Sequence, residues 1–124
     1  MSHITKVETR IRDREILLET LKELGHSYEE NRKLRAGRAH LVMDVAIRSR
    51  AGFHVGFRRE KEDGAYKMYL LDVNAKEYKA LRDAVMQRYA KKKIVKEARR
   101  RNYIVAEEKV CSGNRLRLVL RKIA

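Results

Sequence analysis

At 124 residues, 44% of them apolar, the chain is long and apolar enough to fold as one domain, 1–124, without a disulfide or metal staple. Its 31 Lys and Arg against 17 Asp and Glu give a formal charge of +14, a positive field that either points to RNA, DNA, an acidic protein or an anionic membrane surface as partner or merely keeps the chain in solution. The single cysteine, Cys111, excludes an intramolecular disulfide and a four-ligand zinc site. With no apolar run after Met1 and no stretch near the ~20 residues of a membrane span, a reducing, cytoplasmic setting off the membrane is expected.

In chain order, Thr5, Val7, Thr9 and Ile11 alternate with Lys6, Glu8 and Arg10, which predicts a half-buried strand from Ile4 to Ile11. Asp13 is then an N-cap, and Leu17, Leu21 and Leu24 at helical spacing predict a helix over 14–24 stopped by Gly25. Residues 27–35 read as a polar strand. Leu41, Met43, Val45 and Ile47 alternate as another, broken at Gly52, and Phe53, Val55 and Phe57 follow. Glu62-Asp63-Gly64 signals a hairpin-type turn before Tyr66, Met68 and Leu70. A long helix spans 75–101, capped by Asn74 and ended by Asn102. Two strands, 103–110 and 115–123, close the order around a Ser112-Gly113-Asn114 turn. This pattern predicts an α+β fold, with an antiparallel sheet carrying both helices on one face. The stretches 21–30 and 96–108 both run from a helix end into a strand near a Glu-Glu pair, which raises a duplicated strand–helix–strand–strand unit as a hypothesis.

No Gly-x-x-x-x-Gly-Lys or Gly-x-Gly-x-x-Gly loop occurs, and His3, His26, His40 and His54 lack a second ligand at metal spacing. Cys111 has no evident base, and Glu107 and Glu108 point to opposite strand faces, so no catalytic residue, metal or cofactor is expected. The long helix holds eleven basic residues against three acidic ones. Leu81, Ala84, Val95 and Ala98 form its apolar stripe, and Arg88 and Lys91 interrupt it. Either the helix breaks near 90–93 and turns them outward, or they line a basic groove between helix and sheet that holds an anion or acidic group. Lys92, Lys93, Lys96, Arg99 and Arg100 are expected in solvent as phosphate or carboxylate contacts. Arg115, Arg117 and Arg121 share one strand face, and Lys6 and Arg10 share another. If those strands are neighbours, the faces merge into a basic surface to which Tyr69 or Tyr103 adds stacking.

The opening 1–5, the Ile11-Arg12-Asp13 junction, Leu21–Gly25, Gln87-Arg88-Tyr89-Ala90, Glu97-Ala98-Arg99, Glu107-Glu108 and the ending Leu116–Arg121 are one set of shared features. By them the chain resembles the uncharacterised bacterial and plastid family named hypothetical chloroplast open reading frame thirty-five, over nearly its whole length. It departs from the resemblance at 70–74, where that family carries tryptophans and this chain has none. The resemblance implies a fold and no reaction. The expectation is therefore a small, basic, non-catalytic binding or adaptor protein with an acidic protein partner. The alternative is a nucleic-acid-binding module that uses the basic helix and sheet face.

Overall fold

The computed structural model describes residues 4–49, 52–62, 64–71, 75–111 and 115–123. The elements run β1 (Ile4–Glu8), α1 (Arg14–Glu23), β2 (Ser27–Ala36), β3 (Ala39–Ser49), β4 (Gly52–Arg58), β5 (Lys67–Leu71), α2 (Ala75–Arg100), β6 (Tyr103–Cys111) and β7 (Arg115–Lys122). Strands β1 to β5 form an antiparallel sheet of order β1-β5-β4-β3-β2, and β6 and β7 form a separate two-stranded sheet. The fold is α+β, as the sequence pattern predicts. Asn74, Asp63, His3 and the Ser112–Asn114 turn lie outside the described residues.

Local chemistry sets the helix ends. The Asp13 carboxylate accepts the Ile16 N–H at 3.2 Å and so satisfies a first-turn donor. Gly25 takes φ +80°, and the chain closes α1 with the His26 N–H donating to the Leu21 carbonyl at 2.9 Å. Asn102, at φ +62°, makes the same left-handed exit from α2. The order strand–helix–strand–strand thus occurs twice, as β1–α1–β2–β3 and β5–α2–β6–β7, with the two leading strands paired antiparallel. The Glu-Glu pair sits one residue further along in the second copy, where the β6 ladder is irregular between Val105 and Glu107.

Both helices pack on one face of the large sheet. Ile16, Leu17 and Leu21 of α1 and Val85 and Tyr89 of α2 meet Val45, Ile47, Val55, Phe57, Met68 and Leu70. Each fully buried large side chain here is worth roughly 1.5–3 kcal/mol of transfer free energy. The opposite face is covered by the chain itself. Leu34, Met43, Ala46, Tyr69 and Leu71 form a second cluster with Ile4, Leu41 and Phe53 around it. Leu34 lies on edge strand β2, three places from β5, so its burial with Leu71 requires the outer half of the β2–β3 hairpin to fold back over the sheet.

That bend corrects one expectation. Leu41, Met43, Val45 and Ile47 do not share a face: the first two join the outer cluster and the last two the helix side. The switch falls at Asn31, left-handed at φ +52°, opposite Asp44, where the ladder skips a pair. There the Asp44 carboxylate accepts the Arg59 N–H at 2.9 Å and its carbonyl accepts from Arg14 at 3.1 Å. The first strand also stops at Glu8, short of Ile11. The Thr9 hydroxyl donates to the Tyr66 carbonyl, and Ile11 is buried in the turn into α1. Helix α2 is continuous through 90–93, having neither glycine nor proline to break it.

Candidate partner-binding surface

Helix α2 presents three flanks. The flank toward the large sheet is apolar and ends in Tyr89, whose hydroxyl oxygen accepts the Arg12 N–H at 3.1 Å and the Asp13 N–H at 2.9 Å. The Gln87–Ala90 stretch is thereby explained structurally: Tyr89 fixes the entry to α1.

The flank toward α1 is a charged seam. Lys92 Nζ sits 2.9 Å from Glu23 and 3.6 Å from Glu19, Arg88 is 3.8 Å from Glu23, and Lys96 is 3.4 Å from Asp13. Lys91 turns the other way and meets Glu108 of β6 at 2.6 Å. Glu15, Glu19 and Glu23 of α1 face Arg88, Lys91, Lys92, Lys96, Arg99 and Arg100 of α2 across a groove of about 730 Å3. The Lys92 hydrogen bond, joined by the charges of Arg88 and Lys91, holds the Glu23 carboxyl below its ordinary value against a smaller opposing effect of burial. For Asp13, burial pushes the carboxyl up, but the Ile16 N–H and Lys96, with Lys93 further off, outweigh it and leave the group lowered.

This geometry corrects the solvated-helix expectation. Lys92 and Lys96 are engaged by the protein's own carboxylates, and the groove is helix against helix, not helix against sheet. The sequence reasoning missed its acidic wall, although Glu15, Glu19 and Glu23 recur every four residues on α1 and so share a face.

Lys93 and Arg99 form no ion pair among the described residues, and Arg100 reaches only Glu97, at 3.7 Å. Lys93 lines the third flank, which faces β1 and the β6–β7 hairpin. Leu116, Leu118 and Leu120 of β7 turn toward α2, and Arg115 reaches the rim of the same hollow. By strand alternation Arg115, Arg117 and Arg121 lie on the outer face, with Lys109 paired across from Arg117. None of these four cations has an acidic partner among the described residues. Cys111, a free and half-buried thiol, pairs across from Arg115.

The hairpin and α2 also expose apolar side chains: Ile94 is 44% exposed, Leu120 38%, Ile123 52% and Val110 66%. The two basic strand faces do not merge, since β1 pairs with β5 and β7 with β6. Tyr69 is buried on the outer face with the Lys6 ammonium 5.7 Å over its ring, so it offers no stacking platform. No helix among the described residues is long and apolar enough to cross a membrane.

Neither the curated proteins nor the solved structures compared contain a match to the chain. The model of one family of unknown function matches residues 20–119, more than half of the chain, and the protein belongs to that family, DUF1257.

Proposed function

We infer that the protein is a non-catalytic adaptor that binds an acidic protein partner. One observation carries the reading: exposed apolar side chains on α2 and the hairpin lie beside cations that have no internal acid among the described residues. Phosphate recognition needs charge and no exposed aliphatic area, whereas apolar contact mixed with arginine is the make-up of a protein interface. The Gln87–Ala90 and Leu116–Arg121 stretches support grouping the chain with the proteins named hypothetical chloroplast open reading frame thirty-five. The lone cysteine supports a cytoplasmic setting.

A second reading, nucleic-acid binding, draws on Lys109, Arg115, Arg117 and Arg121 crowded on one hairpin face. Reconstitution with a cross-linked partner, purified and nuclease-treated, separates the two. An adaptor keeps its partner after nuclease treatment and loses it on Ile94→Asp. A nucleic-acid binder instead takes up single-stranded RNA with a salt slope that falls by roughly 0.7–0.9 for each arginine contact removed. If no protein is retained, the adaptor reading fails.

A further inference from the structure

The large sheet and the hairpin stop short of each other, and the repeated element order identifies what is missing between them. In the first unit, β4 stands between the hairpin strand β3 and β5, antiparallel to both. In the second unit the matching hairpin strand is β7 and the matching outer neighbour is β1. Among the described residues no strand stands between these two.

The floor of the interval is α2. Ala90 and Ile94 line both the hollow against residues 8–11, about 590 Å3, and the hollow under β7, about 460 Å3. It is β7, not β6, that borders the second hollow, while Glu8 at the end of β1 and the 9–11 segment that continues it border the first, so these two edges flank the same stretch of helix. The helix-facing side is largely apolar, with Lys91 and Lys93 among its lining: Val7 of β1 packs on the core, and Leu116 and Leu118 of β7 turn toward α2. The outer side carries a cationic excess, with Lys6 and Arg10 on either side of Glu8, which Lys67 meets at 3.6 Å, at one edge and Arg115 and Arg117 at the other.

We propose that this interval receives one extended strand of the acidic protein partner, antiparallel to β1 and β7, joining the two sheets into one. Resting on the adaptor reading, this inference names its binding mode. The open ladder groups of both edges supply the main-chain hydrogen bonds of strand addition. Period-two alternation then sets the sequence of the guest: apolar side chains down on Ala90, Ile94 and Leu118, acidic side chains up between the two rows of cations. A second copy of this chain is the poorer guest, because it brings another +14 to a cationic rim.

The test uses the full chain, isotope-labelled, and a peptide of eight residues, the length of β7, alternating glutamate and isoleucine. Saturable binding is expected, with amide shifts and slowed exchange in both 4–8 and 115–120. A peptide of the same composition with its glutamates grouped at one end binds at least roughly tenfold more weakly. Ile94→Lys, at a half-exposed site that leaves the core intact, abolishes binding. The proposal is overturned by no binding, by equal binding of the grouped peptide, by protection at one edge only, or by a dimer through the interval in sedimentation. Competition keeps the two ideas apart. If a reconstituted partner stays bound while the peptide fills the interval, the adaptor reading stands and the inserted strand does not. If the peptide binds and no protein partner is retained, the adaptor reading falls alone.

Discussion

The hairpins β2–β3 and β6–β7 follow their helices by the same left-handed exit, yet they end in opposite circumstances. The first is held by β4, which ties it into the large sheet, and its outer half folds over to bury Leu34 and Met43. Among the described residues the second has no third strand and packs on α2, leaving Leu120 38% and Val110 66% exposed. Similar alternating strands thus become core or surface according to whether a neighbouring strand is present. A two-stranded ribbon is only marginally stable by itself.

The largest expected effect measures that difference directly. Phe57→Ala in β4 removes a side chain with no solvent exposure and should cost about 3–5 kcal/mol in urea unfolding. Leu120→Ala in β7 should cost less than about 1 kcal/mol, because the side chain is already partly hydrated. Equal losses would mean that the second hairpin is packed as firmly as the first.

Tyr89→Phe should cost an intermediate ~1–3 kcal/mol, since it leaves the Arg12 and Asp13 N–H groups without their acceptor. Hydrogen exchange should then rise first at the start of α1, in the half with the firm hairpin. A rise first in β6 and β7 would assign Tyr89 to the other half.

The smallest effect is acid sensitivity of the helix seam. Glu23 and Asp13 have folded pKa values below their ordinary ones, so their contribution is complete above the ordinary value and is lost as the pH falls through the folded one. The urea midpoint should therefore begin to drop as the pH falls past about 4.5, the ordinary value for Glu23. Glu23→Gln should flatten that drop. An unchanged profile would show that the seam adds nothing to the attachment of α2.

The elements were legible wherever one face of a strand or helix decides burial, as with Leu17 and Leu21 on α1 and Val55 and Phe57 on β4, and so were the left-handed stop at Gly25 and the helix end at Asn102. Two things were not. The face switch at Met43 depends on a backbone turn at Asn31, a residue whose identity permits φ above zero without requiring it. The fate of Lys92 and Lys96 depends on which element lies opposite, a tertiary fact absent from the charge pattern of α2 alone. Of the expected cationic site, the outer-face arginines of β7 and Lys93 remain open toward a partner, while the Arg88–Lys96 seam is occupied from within.

The Tyr89 hydroxyl reaches back 77 positions to Arg12, and Ile4 finds its ladder partner at Leu71. Neither leading strand pairs within its own unit, so the opening residues of the chain gain nothing until most of it has been made. Loop closure of that span must precede any of these contacts, which slows folding relative to a chain of local hairpins. Refolding should therefore show β2–β3–β4 gaining protection before β1 does. A fragment ending ahead of α2 should leave α1 without its anchor and remain open to proteolysis at its first turn.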